Sequence, residues 1–260
     1  MQTKRDLLNE IENSPRTDTV RIWGLSGAGF VVRYADDIIY IDPWLILDPR
    51  RTTHRTFPVP FPPENVRKAV AVISTHEHED HCNVATVKGI VNSAGAVFIG
   101  PKSAVSKVTA GGVPESKTLT VSPGSFLRIS PSLGVRAFEA QDPYEPLAVM
   151  IMIETPRGNI LHSGDTSYFP GFAEVGQKYK IDVALLNYGK QIPTPEKPYY
   201  MSPQKFVMAA KDLRAGVVVP MHWNLWEETR EDPAPIEPLL RAESPQSELS
   251  VVEGGELLEL

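Results

Sequence analysis

Hydrophobic residues in the first part of the chain fall in short runs with the period of β-strands. Residues 20–44, VRIWGLSGAGFVVRYADDIIYIDPW, are rich in β-branched and aromatic side chains that alternate in part with polar ones. This pattern predicts successive short strands with turns at 24–29 and 35–37. The apolar run AVAVISTH at 69–76 predicts a buried strand. Between them, segment 47–65 has five prolines and no periodicity, so we expect a long loop there.

Later segments add helices to this pattern. NVATVKGIVNSA at 83–94 predicts a helix capped by Asn83, and a short helix is expected near 102–110. In SPQKFVMAAKDLR at 202–214, Ser202 can cap, the following proline fits the first turn, and apolar residues form one stripe. The other apolar runs predict strands at 96–101, 133–140, 148–165 (a hairpin turning at TPRGN), 181–189 and 215–223, and SELSVVEGGELLEL at 247–260 predicts a final hairpin.

The order of these elements predicts a fold of the α/β class. Strands come first in a run and then alternate with helices, and no shift in composition marks a boundary. We therefore expect residues 1–260 to form one domain with sheets inside and helices outside.

The composition of the chain argues against a membrane protein and against a nucleic-acid-binding protein. No apolar run approaches the roughly 20 residues that a membrane helix needs. The net charge of −6, without a basic stripe, argues against a nucleic-acid partner. The N-terminal residues lack the apolar core of a signal peptide, and Cys82, as the single cysteine, cannot form an intrachain disulfide. We expect a cytoplasmic protein, and the sequence leaves a homo-oligomer open.

The stretch STHEHEDHC at 74–82 follows the predicted buried strand and holds half of the six histidines in the chain. Imidazole nitrogens and carboxylate oxygens suit zinc and other first-row divalent metals. Such a turn is often only solvated surface, but the spacing His-x-His-x-Asp-His at the end of a buried strand favours a metal site. Two further strands end in comparable groups, Asp165 in HSGD and His222 in PMHW. The sequence thus predicts a metal site at the rim of a sheet.

The chain resembles the metallo-β-lactamase superfamily of binuclear metal hydrolases in three motifs that occur in the same order: His76-x-His78-x-Asp80-His81, Gly164-Asp165 and His222. Within that superfamily it is most similar to the ascorbate-6-phosphate lactonase family, through IWGLSGAGFVV, AVISTHEHEDH, FIGPKSAV, GVP, HSGDTSYF, IDVALLNYG and VVVPMHW. The resemblance implies a four-layer αββα sandwich with mixed sheets, helices on the outside, and the site at the edge between the sheets.

The resemblance also implies a role for each residue of the motifs. The first metal ion would be bound by His76 and His78. The second would be bound by Asp80, His81 and His222, and Asp165 would bridge the two. Asp80 would be catalytic as well, because it can orient the hydroxide shared by the two ions and pass a proton to the leaving oxygen.

One histidine that the superfamily usually supplies to the first metal is missing here. No histidine occurs between 82 and 161, and the corresponding stretch is FEAQDPYE, where the lactonase-like branch carries an aspartate. Asp142 is the first candidate for this ligand and Glu139 the second, although both could equally be solvated acids. An aspartate in place of a histidine shifts the preference from zinc towards manganese. We expect two divalent ions, Mn²⁺ or Zn²⁺.

The function implied by the resemblance is hydrolysis by a metal-bridging hydroxide. A lactonase or esterase acting on a small anionic molecule like a sugar acid is the first reading. A metal-dependent phosphodiesterase is the second, since the same hydroxide serves both chemistries. A metal-binding redox or sensor module without hydrolytic activity is the third.

Three residues are candidate substrate contacts: His54, Tyr188 and Lys190. His54 lies with several arginines in loop 47–65, which is either a solvated charged loop or a basic lid over an anionic substrate. The other two follow a strand end on the side of the site. We expect Cys82 to be a small buried residue and not a nucleophile. His162, Ser163 and Thr166 either hold Asp165 in place or serve only the local strand and turn.

Overall fold

In the computed structural model, which describes residues 6–46, 55–190, 200–227 and 230–260, two seven-stranded sheets face each other. The first sheet contains β1 (Val20–Ser26), β2 (Gly29–Tyr34), β3 (Asp37–Ile41), β4 (Ala71–Ile73), β5 (Val97–Gly100), β6 (Thr118–Thr120) and β14 (Leu257–Glu259), in the order β14-β1-β2-β3-β4-β5-β6. The second contains β7 (Phe126–Arg128), β8 (Gly134–Glu139), β9 (Val149–Thr155), β10 (Gly158–His162), β11 (Val183–Asn187), β12 (Val217–Met221) and β13 (Glu248–Leu249), in the order β13-β12-β11-β10-β9-β8-β7.

Helices cover the outer face of each sheet. Across the described residues they are α1 (Leu7–Asn13), α2 (Val84–Ala94), α3 (Lys102–Ala110), α4 (Gly171–Lys178), α5 (Pro203–Leu213) and α6 (Ile236–Glu243), with short 3₁₀ turns at Pro63–Asn65 and Glu115–Lys117. None of these helices has the length and apolarity to cross a membrane.

Three apolar cores separate the four layers. The central core lies between the sheets and joins residues such as Val32 of β2 to Ile151 of β9. A second core lies under α1, α2 and α3, and a third under α4, α5 and α6. Burial of these faces is the main driving force for the arrangement. The predicted αββα sandwich with mixed sheets is therefore confirmed.

The helix caps predicted from the sequence are present. Asn83 accepts a hydrogen bond from the backbone N–H of Thr86 at the start of α2, 2.8 Å away. Ser202 does the same for Lys205 at the start of α5. In both cases a side-chain oxygen satisfies one of the backbone donors that the first turn leaves open.

The predicted final hairpin is wrong. β13 pairs in parallel with β12 in the second sheet, whereas β14 pairs antiparallel with β1 in the first. The two glycines at 254–255, which suggested a turn between paired strands, lie instead where the chain crosses from one sheet to the other. Gly24 of β1 allows this crossing, because a Cβ there would lie only 2.7 Å from the backbone oxygen of Glu253.

The strand directions bring polar residues to one edge of the sandwich. β3, β4 and β5 run parallel in the first sheet, and β10, β11 and β12 run parallel in the second. β8 shares the direction of β10, since both are antiparallel to β9. Residues that follow the carboxyl ends of these strands therefore meet at the same edge, and they include the predicted metal ligands.

Candidate metal centre

The histidine motif forms a compact turn between β4 and α2. β4 is shorter than the strand predicted at 69–76, and the backbone N–H groups of His81 and Cys82 both donate to the carbonyl of His78, at 3.1 and 2.7 Å. Glu79 lies away from the histidines, since its carboxylate accepts from Asn83 and pairs with Lys107 at 3.0 Å. The turn therefore gathers the histidines and Asp80 on one side.

Three clusters of metal-competent side chains result, each with its ligand atoms within 4.8 Å of one another: His76, His78 and Asp142; His76, His81 and Asp165; and Asp80, His81 and His222. These are the seven residues for which the sequence predicted metal binding, and all seven lie at this edge of the sandwich. Asp142 joins His76 and His78, whereas the alternative acid Glu139 is exposed and lines a separate cavity.

The ring nitrogens of the histidines face one another across short gaps. Nε2 of His76 lies 3.0 Å from Nδ1 of His78, and Nε2 of His81 lies 3.1 Å from Nε2 of His222. Two nitrogen ligands about 2.1 Å from one ion are separated by roughly this distance. The spacing therefore fits pairs of ligands that converge on a cation.

Hydrogen bonds on the far side of two rings fix which nitrogen is free. Asp42 accepts from Nδ1 of His81 at 2.7 Å, and it also accepts from the hydroxyl of Thr75 at 2.7 Å. Because that hydroxyl is already donating, it accepts from Nδ1 of His76, 3.1 Å away. Both rings thus direct Nδ1 to an acceptor and turn Nε2 towards the centre, as metal-binding histidines do.

His222 is held from the other side of the site. The hydroxyl of Tyr200 lies 3.0 Å from its Nδ1, and its backbone N–H donates to the carbonyl of Gly27 at 2.9 Å. Its φ of 70° is in the left-handed region, as is the φ of 45° at Asp42. Both residues follow directly on the end of a strand, and strain of this kind is typical of functional positions.

Two buried carboxylate oxygens at this edge have no hydrogen-bond donor among the residues that the structure describes. They are Oδ2 of Asp142 and Oδ1 of Asp165. An unsatisfied buried carboxylate oxygen is costly, and a bound cation would remove that cost. The residues present therefore fit a metal-binding role by their donor set, by their spacing and by these two open oxygens.

The charges of the centre also favour a cation. Burial acts to raise the pKa of Asp165, but the facing His222 and His81 hold that pKa below its ordinary value. Conversely, burial acts to lower the pKa of His81, but Asp165 and Asp42 raise it well above the ordinary value. Burial and the neighbouring His81 lower the pKa of His76 to about 3, so this ring is neutral. The carboxylates thus create a negative potential in which a proton and a metal ion compete.

The Gly-Asp motif is placed by a close contact between the two sheets. Gly164 has a φ of 58°, and a Cβ on it would lie 2.9 Å from the side chain of Thr75. His162 is buried, with Nε2 hydrogen-bonded to the carbonyl of Ala28 and Nδ1 accepting from the backbone N–H of Gly164. The hydroxyl of Ser163 donates to the carbonyl of Gly164. His162 and Ser163 therefore hold the backbone that carries Asp165.

Of the three candidate substrate contacts, the structure describes Tyr188 and Lys190. His54 lies outside the described residues. Tyr188 is buried in the core under α5, and its hydroxyl donates to the carbonyl of Asp232 at 2.8 Å. Lys190 is exposed. Arg55, the first described residue after His54, stacks on the ring of Trp44 and donates to its carbonyl at 2.9 Å.

Cys82 is fully buried beside the centre, and burial raises the pKa of its thiol to about 11. Its neutral thiol packs in the core under α2. The expectation of a small buried residue is confirmed.

Two positioning residues, Asp42 and Tyr200, are absent from the sequence prediction. Asp42 lies 39 positions before His81, and Tyr200 lies 22 before His222, so no local motif connects them to the rings they hold. The sequence does contain one indication of a role for Asp42. It follows an apolar strand, and if that strand runs parallel to the strand before the histidine motif, Asp42 lies at the same edge of the sheet as the motif.

Replacing Asp42 by asparagine is expected to lower metal affinity by about 10- to 100-fold. The amide cannot accept from His81 and from both donors of Thr75, so the ring is driven to the tautomer with its proton on Nε2. Affinity for Mn²⁺ and Zn²⁺ can be measured by competition with a chromogenic chelator. The exposed Asp36→Asn is the matched control, and an Asp42 variant with unchanged affinity would contradict the proposed orientation.

Comparison with known proteins places this fold and centre in a family. The family model described as "Beta-lactamase superfamily domain" matches residues 38–223. The chain therefore belongs to the metallo-β-lactamase superfamily.

The chain shares 30% or less of its sequence with the relatives described next. A protein of Salmonella newport named "Probable L-ascorbate-6-phosphate lactonase UlaG" is 30% identical over 207 residues, which cover 70% of this chain and 56% of that protein. The chain thus spans little more than half the length of this curated relative. Igni18, a metallo hydrolase from Ignicoccus hospitalis, has a TM-score of 0.75 at 26% identity, over 93% of this chain and 98% of its own. CmlA, a diiron beta-hydroxylase from Streptomyces venezuelae, shares the fold, with a TM-score of 0.67 at 14% identity over 95% of this chain and 54% of its own.

Proposed function

We propose that the protein is a metal-dependent hydrolase that opens a lactone or ester of a small anionic molecule resembling a sugar acid. The observation that carries this proposal is the chain of three ligand clusters at one edge of the sandwich, in which the cluster that contains Asp165 shares His76 with one neighbour and His81 with the other. The relative named as an ascorbate-6-phosphate lactonase supports the choice of a lactone. The metallo hydrolase from Ignicoccus hospitalis supports hydrolysis as the reaction.

Two divalent ions are proposed, with one set of ligands for each. The first would be held by His76, His78 and Asp142, and the second by Asp80, His81 and His222, with Asp165 between them. This set mixes four imidazoles with three carboxylates, which supports Mn²⁺ as well as Zn²⁺. Ions bound there would lower the pKa of a water and polarise the carbonyl of the substrate.

The residues of the chain have separate tasks around that chemistry. Asp42 and Thr75 keep the Nε2 lone pairs of the rings directed inward. Asp80 is the candidate proton carrier, because its side chain is 20% exposed while those of Asp165 and His222 are almost fully buried. A carboxylate at the solvent side of the cluster can take a proton from the attacking water and give it to the leaving oxygen.

Three substrate classes can be compared in one experiment. Protein stripped with a chelator and reloaded with Mn²⁺ or Zn²⁺ is assayed with δ-gluconolactone and its 6-phosphate, bis(4-nitrophenyl) phosphate and 4-nitrophenyl acetate. We expect activity only after reloading, and the highest kcat/KM with the phosphorylated lactone. A preference for the phosphodiester would replace the lactonase proposal by a phosphodiesterase. Tight metal binding without turnover of any of them would refute the hydrolase proposal and favour a redox or sensor role.

A further inference from the structure

A cavity of about 470 Å³ adjoins the metal centre. It lies between the loop after β8 and the start of α5, and its lining includes Asp142, Tyr168, Tyr200 and Lys205. The volume is within the usual range for a pocket that binds a small molecule. Asp142 belongs to the first ligand cluster and Tyr200 holds His222, so the cavity borders both halves of the centre.

The cavity has one charged group of each sign. Of the nine described residues that line it, only Asp142 and Lys205 carry a formal charge. Asp142 belongs to the first ligand cluster, and its Oδ2 has no hydrogen-bond donor among the described residues. Lys205 therefore provides the positive charge of the cavity lining.

The ammonium group of Lys205 is positioned by an aromatic ring. Its Nζ lies 5.0 Å from the centroid of the Tyr168 ring, and the Tyr168 hydroxyl donates to Asp212 at 2.6 Å, which holds the ring in place. Within the described residues Lys205 has no carboxylate partner. A cation over the face of a ring keeps its N–H donors available for an anion.

Helix stability does not account for a lysine at this position. Lys205 is exposed in the first turn of α5, where a positive charge opposes the helix dipole. Lys211, in the last turn of the same helix, has the favourable placement. The helix dipole therefore gives no reason for a positive charge at this position.

We propose that Lys205 binds the anionic end of the substrate, a phosphate monoester or a carboxylate, while the reacting carbonyl lies at the Asp142 end of the cavity. The rings of Tyr168 and Tyr200 would contact the body of the molecule between these ends. This inference rests on the proposed function for the identity of the reacting group. It makes Lys205 a specificity residue and assigns the recognition of charge to α5.

Binding of three sugar acids to the Mn²⁺-loaded protein tests this assignment without turnover. Gluconate has only the carboxylate expected at the metal centre, gluconate 6-phosphate adds a phosphate, and glucarate adds a second carboxylate. In calorimetry we expect Lys205→Met to weaken binding of at least one of the two longer anions by about tenfold or more and to leave gluconate unchanged. Lys205→Arg should retain most of the affinity, and Lys211→Met, the matched control on α5, should retain all of it.

The outcomes separate the inference from the proposed function. Loss of phosphate binding alone would identify a phosphate monoester as the anion, and loss of glucarate binding alone a carboxylate. Equal weakening of gluconate, no effect of Lys205→Met, or a wild-type protein that binds none of the three would overturn the assignment of Lys205. A wild-type protein that binds gluconate 6-phosphate through Lys205 yet hydrolyses no lactone would overturn the proposed function and leave the assignment standing.

Discussion

Replacing Asp165 by alanine is expected to reduce kcat for the preferred substrate by more than about 100-fold. Loss of a residue that hydrogen-bonds to a metal ligand usually costs about 10- to 100-fold, and loss of a proposed metal ligand itself should cost more. The carboxylate lies 3.5 Å from Nε2 of His81 and 3.8 Å from Nε2 of His222, and its Oδ1 has no hydrogen-bond donor among the described residues. No neighbouring acid in the described clusters occupies the same position between the two sets of ligands.

Metal content and activity should fall together in this variant. Elemental analysis after dialysis against a weak chelator is expected to find fewer ions per chain than in the wild type. Asp36→Ala serves as control, because Asp36 is an exposed acid whose partner Arg16 is exposed as well. An Asp165→Ala protein that keeps both its metal and its activity would remove this residue from the site.

The largest effect on stability is expected from Phe206→Ala, at about 3–5 kcal/mol of unfolding free energy. Phe206 is fully buried in the core between α5 and the second sheet, and its ring meets that of Tyr188 edge to face with centroids 6.0 Å apart. Truncation leaves a cavity that the surrounding side chains and helices can only partly fill.

Urea unfolding followed by circular dichroism measures this loss through the shift of the midpoint at constant slope. Lys211→Ala, on the exposed side of the same helix, should change the free energy by less than about 0.5 kcal/mol. A Phe206→Ala loss below about 1 kcal/mol would mean that α5 contributes little to the fold.

The hydrophobic pattern predicted sheets inside and helices outside, because each strand and helix buries an apolar face that its own pattern reveals. The four-layer arrangement was implied by the resemblance to the metallo-β-lactamase superfamily. Strand pairing was predicted least well for short strands and for strands whose partners are far away in the sequence. The final hairpin is the clear example, since the local pattern of 247–260 is that of two strands and a turn. β14 pairs with the edge of β1, and β13 pairs with the edge of β12. These partners are distant in the sequence, so the pattern within 247–260 does not predict them.

Local patterns located six of the seven candidate ligands. Four lie within His76–His81, and Asp165 and His222 end predicted strands. Asp142 was chosen through the resemblance to the lactonase-like branch. A local pattern does not separate Asp142 from Glu139, because Glu139 ends β8, Asp142 follows three residues later, and the turn after β8 decides which approaches His78. Asp42 and Tyr200 act through contacts that no local spacing encodes.

The contact of Gly164 with Thr75 has a consequence for how the two halves of the sandwich are held together. The histidine turn follows β4 of the first sheet, whereas Asp142, Asp165 and His222 follow strands of the second. Any ion bound by residues from both groups would cross-link the two sheets. Each ion that binds the folded protein and not the unfolded chain would then stabilise the fold by an amount that grows with the free metal concentration. Cells that limit the supply of the metal would limit the lifetime of the folded protein along with its activity.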